Sequence, residues 1–177
     1  MKKACLLLLL PAILFLSCSK ESDQPETFHV SFKVNGVDKL YTGHTLAHLE
    51  DLGGGDLELM ILGATNATSY NDYMGIYISN SPGGGAITAG QYQDNSTNRI
   101  VLTTYENGGT SYEAGHTVAE EAVFNNIPIA NHFTVNITTL TTGDVARGTF
   151  SGDYYPDGDP HNPKISITNG SFYVKFQ

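Results

Sequence analysis

The chain has 177 residues, with 18 Asp and Glu against nine Lys and Arg, a formal net charge of −9. A surface this acidic repels phosphate backbones and anionic headgroups, so nucleic acid is not among the expected partners. Its length and 40% hydrophobic content suit a single domain with its own core.

Lys2 and Lys3 precede an apolar run from Ala4 to Leu16. A membrane-spanning helix needs about 20 such residues. The run is too short for that and has the form of a signal peptide covering residues 1–17. Phe15-Leu16-Ser17-Cys18 closes it with a small residue before the cysteine, and this resembles the bacterial lipobox. The resemblance implies that the Cys18 sulfur takes a diacylglycerol, that the peptide is cut before Cys18, and that the new amine is acylated. Stable anchoring takes at least two chains, each buried methylene contributing about 0.8 kcal/mol, and a triacylated cysteine meets that need. Cys5 falls within the signal, so Cys18 is left without a disulfide partner in the mature chain. Loss of Lys2 and Lys3 leaves seven basic residues against 18 acidic, a net charge of −11.

Residues 18–27 are polar and carry a proline, as a flexible tether does. Lys20, Glu21 and Asp23 resemble export signals on surface-displayed lipoproteins of Bacteroidetes. The expected location is the cell envelope, lipid-anchored to the outer membrane and either periplasmic or surface-exposed.

From residue 28 to 177 the pattern is strict alternation, the signature of half-buried strands. Phe28, Val30, Phe32 and Val34 point one way, and Asn35-Gly36 follows as a tight turn. Further strands are expected at Leu57–Leu62, Tyr73–Ser79, Arg99–Tyr105, Phe133–Thr138, Val145–Ser151, Ile165–Thr168 and Phe172–Gln177. Asn169-Gly170 reads as a turn between the last two. Only His44–Leu52 and Thr117–Phe124 are candidates for helix, and neither carries a sustained 3.6-residue stripe. About eight to ten antiparallel strands without crossover helices predict a β-sandwich, with a partly closed β-barrel as the alternative.

The segments FHVSFKVNG (28–36), GTFSGDYY (148–155) and ISITNGSFYVKF (165–176) resemble one family of small Bacteroidetes lipoproteins, a domain of unknown function. That resemblance implies an all-β domain behind a lipoprotein signal, and it carries no catalytic residues.

Two groups have the residue types of a metal site. His44 and His48 stand four apart with Glu50 and Asp51 behind them, two imidazoles and a carboxylate whose donors would suit Zn²⁺, or which are simply surface histidines beside Gly43. The HxxxH spacing lacks the glutamate of a metalloprotease motif, and His116 and His132 are the distant residues available as a third ligand. Asp153, Asp157 and Asp159 sit in an oxygen-rich, proline-punctuated loop whose donors would suit Ca²⁺, or which is simply a turn. The expected outcome is no cofactor, with Ca²⁺ or Zn²⁺ as the alternatives. Phosphate-loop and GxSxG motifs are absent from the sequence.

The chain has ten tyrosines and no tryptophan. Tyr73 and Tyr77 share the face of one strand opposite to Met74, Ile76 and Ile78, and Tyr154-Tyr155 end another. These four are the candidate binding residues, an aromatic platform for a glycan or a protein partner. The favoured function is a membrane-anchored envelope module that binds or builds without catalysis. The alternative is a small envelope hydrolase using an ion or a carboxylate pair.

Overall fold

Alternating apolar residues decide which face of each strand turns inward, and the described chain follows that pattern as a two-layer β structure. The computed structural model describes residues 26–68, 71–82, 84–96 and 99–177. The expected signal peptide, Cys18 and the tether as far as residue 25 lie outside these residues. In chain order the strands are β1 (His29–Val34), β2 (Val37–Tyr41), β3 (His44–Gly53), β4 (Asp56–Ala64), β5 (Asp72–Pro82), β6 (Gly90–Gln93), β7 (Arg99–Asn107) and β8 (Thr110–Gly115). The helix α1 (His116–Phe124) follows, then β9 (Thr134–Thr141), β10 (Val145–Pro156) and β11 (Ile165–Lys175).

The first sheet runs β2-β1-β11-β10-β9-β6 and the second β3-β4-β5-β7-β8, with every pairing between named strands antiparallel. Two seams join them. The last residues of β10, Tyr155 and Pro156, pair with Glu113 and Tyr112 of β8. Beyond the end of β11, Phe176 bridges to Ala47 of β3, and the Gln177 N–H donates to the Ala47 carbonyl at 3.0 Å. Because β10 and β11 are antiparallel, their C-terminal ends lie at opposite ends of the first sheet. That central pair therefore meets opposite edges of the second sheet, the arrangement of sandwich layers joined at corners. The molecule is a sandwich whose seams close it into a nearly complete barrel.

The core lies between the layers. Val30, Phe32, Val135, Ile137, Phe150, Ile167, Phe172 and Val174 face Leu59, Ile61, Met74, Ile76, Ile78, Val101 and Tyr105, all nearly fully buried. Asn35 (φ 47°) and Gly36 (φ 86°) form the expected turn between β1 and β2.

Two expectations change. His44–Leu52 is strand, because the hairpin through Gly53–Gly55 pairs it residue by residue with β4. Asn169-Gly170 is not a turn between two strands. Asn169 takes a positive φ (52°) inside a continuous β11, where the register slips against both β1 and β10, so the residue pair forms a bulge. The other candidate helix is borne out as α1, which buries Val118, Ala119 and Ala122.

Candidate functional site

The four candidate tyrosines separate. Tyr154 points into the core, with 0% exposure, and its hydroxyl meets Thr103 Oγ1 at 2.9 Å and Met74 Sδ at 3.6 Å. Tyr155 is buried as well, on the seam with β8. The reading of Tyr154 and Tyr155 as an exposed platform is therefore corrected, since closing the barrel covers this strand end. Tyr73 and Tyr77 do share the outer face of β5 and are half-buried. Between them Gly75 leaves room: a Cβ there would stand 3.1 Å from the ring of Tyr77 and 3.4 Å from that of Tyr73. Both rings thus lean over the glycine. Burial raises the Tyr73 phenol above its ordinary value, with Tyr77, Glu106 and Glu113 adding to the rise.

The metal candidates separate too. On a strand, residues four apart are about 13 Å apart along the chain, so His44 and His48 stand on one face with buried Leu46 between them. His48 Nδ1 is 3.2 Å from the Gln177 carbonyl. Asp153 turns away from its supposed partners. It is buried and is held by Lys164, by Ser166 Oγ (2.8 Å) and by the backbone and side-chain amides of Asn131. Burial alone would raise its carboxyl, but those hydrogen bonds and the Lys164 charge outweigh it and hold the group below the usual range. Asp159 closes its own turn by accepting from the His161 N–H (2.9 Å) and facing His161 Nδ1 at 2.7 Å, which lowers its carboxyl. Asp157 and Asp159 border a shallow acidic groove with Glu113 and Glu121. Among the described residues, no group of three metal-ligating side chains converges.

A different cluster combines burial, ionisable groups and a cavity. Strand β6 ends by pairing Gln93 with Thr134. One step on, the Asp94 N–H donates to the Phe133 carbonyl (3.1 Å), and Asp94 Oδ2 accepts the Phe133 N–H (2.8 Å). This two-point clamp buries the carboxylate, whose side chain is 3% exposed. Its other oxygen, Oδ1, lies 2.8 Å from Nδ1 of His132. The carboxylate accepts, so Nδ1 carries the proton. In the neutral ring Nε2 is then a bare acceptor. His116, the first residue of α1, sits with Nδ1 3.3 Å from the Asp94 carbonyl and Nε2 3.3 Å from Glu120, one helical turn on.

These groups line a wide-open cavity of about 460 Å³ together with Ala119, Val123 and Phe124. Val123 and Phe124 are 81% and 87% exposed, the most exposed large apolar side chains described. Ordered ligand sites have this size and this mixture of apolar wall and few polar contacts. Asp94 was missed in the sequence because QYQDNSTN reads as an ordinary turn, and His132 lies 38 residues away. The signal that was available is Val123-Phe124, two apolar residues ending a helix after Glu120-Glu121.

The fold and cavity define a two-layer β domain with a pocket beside its one described helix. No protein-family model, no curated protein and no solved structure matches the chain significantly.

Proposed function

We propose that this chain is a lipid-anchored cell-envelope protein, held in the outer membrane through Cys18, and that its domain is a non-catalytic binding module. The lipobox-like FLSC sequence supports the anchor, and the segments quoted above support kinship with the small Bacteroidetes lipoproteins. A leash of ten residues from Cys18 to Phe28 reaches at most about 35 Å, which keeps the domain beside the bilayer.

The observation that carries the binding reading is the cavity beside α1, which His132 lines together with the exposed apolar side chains of Val123 and Phe124. Both Asp94 oxygens are committed, and with Nδ1 donating to Asp94 the neutral His132 ring keeps Nε2 as its acceptor. One fixed acceptor orients a ligand. Hydrolysis asks in addition for an acid and for donors to the developing negative charge. The ligand class that fits is a small molecule with an apolar body and one hydroxyl, amide or ammonium donor.

Titration with benzyl alcohol and with hexanol, followed through the imidazole resonances, tests this. Saturable movement of His132 and His116 is expected, with His161 still, and Phe124→Ser should weaken binding about tenfold through lost apolar burial. Uniform or non-saturating shifts would contradict it.

A hydrolase with a histidine base, in place of the ion or carboxylate pair expected from the sequence, is favoured by one observation, since a buried carboxylate on Nδ1 is how a general-base histidine is oriented. Hydrolysis of p-nitrophenyl esters that is abolished in His132→Gln would establish that reading in place of the first.

A further inference from the structure

The outer face of the first sheet carries a row of neutral polar residues. Four registers place Gln91 opposite Asn136, Asn136 opposite Thr149, Thr149 opposite Ser171, and Ser171 opposite Ser31. Their chain neighbours Tyr92, Val135, Phe150, Phe172 and Val30 are buried in the core, so all five residues of the row face outward. The row crosses β6, β9, β10, β11 and β1 at about 4.8 Å per strand, close to 19 Å in all. A second, shorter row sets Gln93 opposite Thr134 and Thr134 opposite Ser151.

Where the bulge at Asn169 bends β11, this face dips into a groove of about 390 Å³. The polar side chains lining it are Thr134, Asn136, Thr149, Ser151, Asn169 and Ser171. All six are neutral, in a chain with a net charge of −9. The groove beside Asp157, by contrast, is walled by Glu113, Glu121 and Asp159.

We propose that this groove binds a neutral polysaccharide. Each sugar hydroxyl is both donor and acceptor, and so are Ser and Thr hydroxyls and the Asn and Gln amides. Arg147, at one end of this face, is already paired with Glu26 at 2.5 Å, so the groove offers no free counter-charge to phosphate or uronate, and the acidic protein repels both. The spacing between strands is of the order of one pyranose ring, so successive sugars meet successive strands. At one end Tyr173 stands two residues along β11 from Ser171, with the Arg147 guanidinium 3.9 Å from its ring centre and Phe28 against it at 4.7 Å. This aromatic end offers Phe28 to the C–H face of a terminal sugar. The site is separate from the cavity beside α1 and does not depend on it.

Affinity electrophoresis of the full chain in detergent, through gels holding β-glucan, mannan, xylan, galactan or polygalacturonate, tests the proposal. At least one neutral polymer should retard the protein and polygalacturonate should not. Asn136→Ala should weaken the retardation constant about tenfold, the loss of a multiply bonded amide. The double variant Asn136→Ala/Thr149→Val should run free while keeping the melting temperature, because both positions are exposed. Failure of every neutral polymer, equal retardation by polygalacturonate, or a double variant that behaves like the parent would overturn the proposal. So would a concentration-dependent dimer abolished by Thr149→Asp, which would assign the face to a second copy of the chain.

Discussion

The hydroxyl of Tyr154 and Oγ1 of Thr103 lie 2.9 Å apart between the two sheets, and the Thr103 O–H donates a hydrogen bond to the Gly75 carbonyl, also at 2.9 Å. Tyr154 is therefore the donor, and the pair links β10 of one layer to β7 and β5 of the other. Thr103→Val removes the acceptor and leaves a buried phenol with only the weak Met74 sulfur. Denaturant unfolding should show a loss of about 1–3 kcal/mol. Tyr154→Phe leaves Thr103 bonded to Gly75 and should cost less, about 1 kcal/mol. The reverse order would mean that the hydroxyl pair is not shared in this way.

Asp153 makes stability depend on acid. Its folded carboxyl lies below the ordinary value of 3.8, because the Lys164, Ser166 and Asn131 contacts outweigh the opposing effect of burial. The depressed value means that Asp153 contributes fully above 3.8 and that this contribution is lost as pH falls below it through the folded value. In melting curves taken from neutral pH downward, the gap between wild type and Asp153→Asn should stay constant to about pH 4 and then narrow. A gap that stays constant through acid would show that the carboxyl is not held in its charged form.

Phe133 is fully buried against Tyr154, with ring centres 5.8 Å apart, whereas Thr138 on the same stretch faces solvent. Phe133→Asp puts an unpaired carboxylate in the core and should cost at least about 3 kcal/mol. Thr138→Asp should change stability by less than about 0.5 kcal/mol. Circular dichroism during thermal unfolding separates the two, and equal effects would refute the strand phase.

On the proposed lipid anchor, Cys18→Ala should move the protein from the membrane to the soluble fraction on cell fractionation. No described helix is long and apolar enough to cross a membrane. Retention of the variant as firm as that of the wild type would exclude lipid anchoring.

Strand phase was legible because burial on one face writes itself into alternate residues: Phe28–Val34 gives β1, and Val145–Ser151 gives the first part of β10. The short strands β2, β6 and β8 were not picked out, since Val37 and Leu40 sit exposed at a sheet edge and β6 has four residues. Sequence spacing misled at His44 and His48, where four residues mean one helical turn or four strand steps and only pairing with β4 decides. It misled again at Tyr154, because whether a strand end is covered depends on the seam with β8, which is non-local. The Asp94–His132 contact was out of reach for the same reason: it exists only because β6 pairs with β9.

The most direct measurement is ¹⁵N-resolved NMR of the His132 ring at alkaline pH, where the imidazole is neutral. With Asp94 Oδ1 2.8 Å from Nδ1, Nδ1 should carry the proton and Nε2 should show the shift of an unprotonated nitrogen that moves when benzyl alcohol is added. A ring protonated at Nε2, with no response to the alcohol, would contradict the account of this cavity as a binding site.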